Sequence, residues 1–111
     1  MQVYLSAYFL RQIKPALKKY HDLEDDIIGA LENFIPETAT SLGHKLYKIR
    51  LRTPAISKGK NKSFRMVIFL FELGDIITPI VLYFKGDQEN IDKRELITHL
   101  KNIVREIEGK K

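Results

Sequence analysis

Leu46-Tyr47-Lys48-Ile49-Arg50-Leu51-Arg52 (LYKIRLR) is the stretch where the hydrophobic period of this chain changes. Tyr47, Ile49 and Leu51 alternate with Lys48, Arg50 and Arg52. In an extended strand, successive side chains point to opposite faces. The segment therefore predicts a strand with one apolar and one basic face. Upstream of it, apolar residues recur at helical spacing; downstream, they form strands. The stretch divides a helical N-terminal part from a sheet.

Working downstream, Thr53 to Ser63 reads as a loop containing Pro54, Gly59 and three lysines. Phe64 to Leu73 predicts a strand apolar on both faces, and Gly74-Asp75 a turn. Ile76 to Phe84 predicts a further strand with Pro79 inside it. Proline cannot donate to a ladder, so Pro79 points to an edge strand or a bulge. Asp92, with Glu95 three residues on, resembles a capping box and starts a last helix. Its apolar stripe is Leu96, Leu100, Ile103 and Ile107, with Ile97 and Val104 widening it.

Working upstream, Glu37 to Gly43 reads as a loop, and Pro36 stops a helix whose stripe is Leu23, Ile27, Ile28, Leu31 and Phe34. Acids cluster in the first turn of that helix, where its dipole favours them. Phe9, Ile13, Leu17 and Tyr20 repeat at helical spacing after Ser6, a good cap. Pro15 predicts a kink or a restart in that helix. Val3 to Ser6 reads as a short edge strand. The order is strand, two helices, three strands, helix: an α+β arrangement in which the strands form an antiparallel meander. The first two helices can cover one face of the sheet. The other face needs the last helix, a partner chain or a second copy.

The length of 111 residues predicts one domain, residues 1–111. No apolar run approaches the roughly 20 residues of a membrane span, and the N-terminal segment lacks the pattern of a secretory signal. Cysteine is absent, so disulfide and thiolate chemistry are excluded, and the cytosol is the expected compartment.

The net charge of +5 is unevenly placed. Residues 1–42 carry four basic and six acidic side chains; residues 43–65 carry eight basic and none acidic; residues 66–111 carry seven basic and eight acidic. A concentrated positive segment is the footprint of a polyanion, whose phosphates release counterions when Lys and Arg neutralise them. Lys48, Arg50 and Arg52 share a strand face. Arg65, at the start of the next strand, can lie across from them, and Lys58, Lys60 and Lys62 come from the intervening loop. Lys85 follows the last strand and Tyr83 shares its face, where an aromatic can stack on a base. This composes a phosphate site on a sheet floor, with arginines suited to bidentate contacts. The alternative reading is an exposed strand whose charges keep an edge from aggregating. His21, His44 and His99 lack ligand spacing, so no metal site and no cofactor is expected. His44, just ahead of the basic strand, is a candidate for proton transfer. No serine triad and no phosphate-binding glycine loop occurs.

Three stretches carry a family resemblance: Tyr47-Lys48-Ile49-Arg50; Gly59-Lys60-Asn61-Lys62-Ser63-Phe64-Arg65; and Phe84-Lys85-Gly86-Asp87-Gln88-Glu89-Asn90-Ile91 followed by a helix. In this order and spacing the chain resembles the RelE-like toxins of bacterial toxin–antitoxin pairs, within the RelE/HigB/ParE superfamily. The resemblance implies a compact microbial-RNase-type α+β fold, with two N-terminal helices packed on a small antiparallel sheet and a C-terminal helix. It implies a metal-independent endoribonuclease that cleaves mRNA in the ribosomal A site, inhibiting translation and arresting growth. It also implies a cognate antitoxin, with a homodimer or a toxin–antitoxin hetero-oligomer as the assembly. By position, Lys48, Arg50, Arg65 and Lys85 match the family's basic catalytic positions, while Arg52, Lys58, Lys60, Lys62 and Tyr83 are expected to contact RNA. The family's paired glycines are Lys62-Ser63 here, and its "NER" is Gly86-Asp87-Gln88. A gyrase inhibitor of the ParE kind, or a non-catalytic basic module that binds RNA or a partner, stays open on the same fold.

Overall fold

The computed structural model describes residues 1–51, 64–71, 75–84 and 90–109. Its elements are β1 (Gln2–Val3), α1 (Ala7–Lys19), α2 (Leu23–Glu32), a 3-10 turn (Pro36–Thr38), β2 (Thr40–Gly43), β3 (Leu46–Leu51), β4 (Phe64–Phe71), β5 (Ile76–Phe84) and α3 (Lys93–Gly109). The strands form one sheet in the order β1-β5-β4-β3-β2. From β2 to β5 the pairing is an antiparallel meander; β1 joins the far edge in parallel with β5. Among the described residues no helix is long and apolar enough to cross a membrane.

Three local expectations are corrected. The Glu37–Gly43 segment is a 3-10 turn followed by strand β2. All four β2 residues are exposed, so no apolar alternation marks them as a strand. Pro15 does not divide the first helix, because α1 runs through it. Ile13 is buried before the proline, and Ala16, Leu17 and Tyr20 pack on the core after it. Burial on both sides outweighs the roughly 3 kcal/mol that an interior proline costs. The sheet is mixed, since its first edge strand is parallel.

Pro79 sits at a bulge. Ile68 pairs with Pro79 and Val67 with Val81, leaving Ile80 as the extra residue. Beyond Val3, no strand among the described residues lies beside the outer edge of β5. The side chain of Gln12 takes that place: Nε2 donates to Ile80 O and Oε1 accepts from Leu82 N, each at 3.2 Å. Buried backbone groups need such partners, and here an amide side chain imitates a neighbouring strand.

The core sits on both faces of β4 and β5; Met66, Val67, Ile68 and Ile80 are fully buried. On the apolar face of β3, Tyr47 meets Phe34 and, one strand over, Phe64 meets Tyr20, so α1 and α2 cover that face. The last helix packs on β5 and α1, and its first turns line a groove with Leu46, Lys48 and Tyr83 of the opposite face. The last helix therefore supplies the second cover that the sheet requires.

The C-terminal half of α3 is tied to α1. Glu106 accepts from the backbone N–H of Ala7 (2.8 Å) and Tyr8 (3.1 Å) and from the Tyr4 hydroxyl (2.8 Å). Ser6 Oγ accepts from Phe9 N at 2.9 Å. Every orphan donor in the first turn of α1 is thus satisfied, and a carboxylate sits at the positive end of the helix. Burial, then Glu106, pushes the Tyr4 phenol up to about 12. Farther along α3, the Tyr8 hydroxyl and His99 Nδ1 are 2.7 Å apart, and His99 Nε2 is 3.5 Å from Glu95. At the start of α3, Asp92 accepts from Arg94 N at 3.5 Å.

Candidate nucleic-acid interface

The β3–β4–β5 register lines up the predicted basic residues. Arg50 lies opposite Arg65, and Arg65 opposite Tyr83. Two residues along, Lys48 lies opposite Val67, and Val67 opposite Val81. The period of two places all of these on one face. Directly paired residues have Cβ atoms about 4.5–5.5 Å apart, and like charges in that position repel. The pair therefore holds two positive charges side by side, one of them buried. Arg65 is 9% exposed, whereas Arg50 is exposed. Burial lowers the Arg65 pKa from its ordinary value, and Arg50 lowers it further.

Tyr83 completes the row. It is 6% exposed, and its hydroxyl has no hydrogen-bond partner among the described residues. Burial raises its pKa, against the pull of the Arg65 charge. Lys48 Nζ donates to Asn90 Oδ1 at 3.3 Å, which holds the lysine against the segment entering α3.

Two grooves meet at Lys48. One, about 600 Å³, lies where β2 stops pairing and exposes the edge of β3. Lys48, Arg50 and Arg65 line it together with Asn33, Phe34 and Thr38. The other, about 480 Å³, lies between the β2–β3 hairpin and the start of α3, with Tyr83 and Asn90 in its wall. The hairpin turn is unusual. His44 (φ 54°) and Lys45 (φ 67°) are both left-handed, a conformation that such two-residue turns normally fill with Asn-Gly.

Of the residues expected at the site, the structure brings together Lys48, Arg50, Arg65 and Tyr83. Arg52, Lys58, Lys60, Lys62 and Lys85 lie outside the described residues. His44 stands in the wall of the second groove. Tyr47, the other tyrosine near the basic strand, is on the helix-covered face against Phe34. Sequence reasoning missed Asn90 as a site residue, although it falls inside the third motif. It also missed Leu42 on the second groove, and Ile97, expected to widen the apolar stripe of α3, instead stands half-exposed on the groove rim.

The arrangement is a rigid cationic floor with a polar and aromatic margin. It can hold a phosphodiester on the guanidiniums and leave bases or sugars to the grooves. No family model and no curated protein matches the sequence. Solved structures do. An arginine-to-alanine double mutant of the E. coli toxin RelE in the free state superposes with a TM-score of 0.52 at 18% identity, over 92% of this chain and 96% of that one. The intact E. coli RelBE toxin–antitoxin complex gives 0.46 at 19% identity, over 73% of this chain and 92% of that one. The backbone course, the sheet and the covering helices together give this chain the RelE fold.

Proposed function

We propose that the protein is the toxin of a toxin–antitoxin pair and acts as a ribosome-dependent mRNA endonuclease in the cytoplasm, with its cognate antitoxin, mRNA and the ribosome as partners. The observation that carries the reading is the Arg50–Arg65 pair, two like charges set across neighbouring strands with Arg65 buried. Two guanidiniums held side by side on a sheet floor match the planar, bidentate geometry of a phosphodiester.

In this reading the scissile phosphate rests on Arg50 and Arg65. The adjacent 2′-oxygen forms the new bond to phosphorus, its proton passing to a base, and the 5′-oxygen leaves with a proton. The products are a 2′,3′-cyclic phosphate and a 5′-hydroxyl. The guanidiniums stabilise the extra negative charge of the phosphorane, a role for preorganised donors in a partly desolvated site. Lys48 and Lys85 are assigned to the proton transfers, with Asn90 steering Lys48. Tyr83, Arg52, Lys58, Lys60 and Lys62 are assigned to the bound RNA. The reaction takes no metal and no cofactor.

The test is a map of new mRNA 5′ ends shortly after induction, beside an Arg65→Ala control of verified fold. Ends inside translated frames with wild type alone are expected. Growth arrest with DNA-damage signalling and no new ends would replace this reading by gyrase inhibition. No ends and no arrest would leave a binding module.

A further inference from the structure

We propose that the groove between the β2–β3 hairpin and α3 is a nucleobase pocket, taking one unstacked base of the RNA whose backbone lies on the Arg50–Arg65 row. The inference rests on the reading of that row as an RNA site. Four observations carry it.

First, the groove is continuous with the row, because Lys48 and Tyr83 belong to both. A strand held on the guanidiniums can therefore drop a neighbouring base into it. Second, its rim is apolar where a surface is normally polar. Leu42 is 39% exposed and Ile97 is 49% exposed, and both line it with Leu46 beneath. These are flat contacts of the kind that cover the face of a base. Third, Tyr83 stands in the wall nine-tenths buried, with a hydroxyl that no described residue satisfies. An orphan polar group of this sort is costly, and because the hydroxyl is itself occluded a base edge completes it on a small shift of the groove wall. A base edge offers the donors and acceptors that an aliphatic anchor from a protein partner lacks. Fourth, among the described residues the charged ones in the lining are Lys48 and Lys93, which favours an occupant carrying phosphate.

The volume of about 480 Å³ falls within the range of clefts that hold small molecules. The left-handed His44-Lys45 turn shapes the outer wall by directing the chain from Leu42 back to Leu46.

The test uses the full chain and single-stranded 2′-O-methyl RNA, which lacks the attacking hydroxyl, with one abasic position moved along the oligonucleotide. Affinity is read by fluorescence anisotropy at low salt. One abasic position is expected to weaken wild-type binding about tenfold, as loss of a stacked base does, while the others change it little. In Leu42→Ser/Ile97→Ser, both surface changes, that position-specific loss should disappear. Tyr83→Phe should bind the intact oligonucleotide more weakly and melt at a higher temperature, since the unsatisfied hydroxyl is gone. A merely structural tyrosine would not separate the two effects in that direction.

Equal loss at every abasic position, or a loss that survives in Leu42→Ser/Ile97→Ser, overturns the pocket and leaves the basic row as an RNA site. An unchanged RNA profile with weakened binding of the antitoxin assigns the groove to a protein partner and also overturns it. Wild type that binds no oligonucleotide overturns a base pocket formed by the free protein, while the map of mRNA 5′ ends tests the basic row independently.

Discussion

Glu106→Ala is the substitution whose effect the structure specifies most fully. Its carboxylate accepts from two backbone N–H groups at the start of α1 and from the Tyr4 phenol. Loss of a capping oxygen costs about 1 kcal/mol. Loss of a negative charge at a helix N-terminus costs about 0.3–1 kcal/mol, and loss of the phenol's partner about 1 kcal/mol. The contacts are partly exposed, so the expected destabilisation is about 2–3 kcal/mol in urea. For a domain of this size that lowers Tm by on the order of 10 °C or more. Tyr4→Phe removes only the phenol contact and should cost about 1 kcal/mol, and a double-mutant cycle with Glu106→Ala should recover that same coupling.

The phenol also sets a pH signature. Tyr4 has its folded pKa raised from 10.0 to about 12, so the proton binds more tightly in the folded state. Its contribution is complete below pH 10 and is lost as pH rises through 12. The shift corresponds to roughly 2–3 kcal/mol. The ring is partly exposed, and screening reduces this to about 1 kcal/mol. Wild type should therefore lose this increment between pH 10 and 12, and Tyr4→Phe should not. A Glu106→Ala protein within about 0.5 kcal/mol of wild type, or additive single mutants, would refute the tie between α3 and α1.

The remaining predictions concern the site and its hairpin. Arg50→Ala should abolish RNA cleavage while stabilising the fold by about 0.2–1 kcal/mol, because it relieves the repulsion across from Arg65. Urea unfolding at low and high salt checks it: wild type should gain stability with salt more than the variant, and a destabilised Arg50→Ala would contradict the account. Replacing the left-handed pair by His44→Asn/Lys45→Gly should stabilise the hairpin by about 1 kcal/mol. Thermal unfolding reads this directly, and no gain would mean that the turn carries no strain.

Much of the fold is legible in short-range pattern. The stripes Phe9–Ile13 and Leu23–Ile27–Leu31 lie at helical spacing and are buried as one face of each helix. The alternation in Leu46 to Leu51 places Lys48 and Arg50 together, and the antiparallel meander then brings Arg65 opposite Arg50. The basic row follows from periodicity and chain order. It is legible because a side chain's face depends only on its position along its own strand.

What pattern does not convey are the partners that local sequence leaves unspecified. The first turn of α1 has no acid of its own, and its carboxylate comes from Glu106 on α3. The outer edge of β5 is completed by the side chain of Gln12. Strand β2 has no buried residue to announce it and exists because the edge of β3 needs hydrogen bonds. Asn90 reaches Lys48 across 42 residues of chain. The sequence alone determined the helices, the core strands and the cationic face, since hydrophobic period is a local property. Tertiary structure alone decided how orphan donors are satisfied, which groove Tyr83 borders and what surrounds Lys48. Those outcomes depend on where distant backbone ends up, and no spacing rule along the chain encodes that.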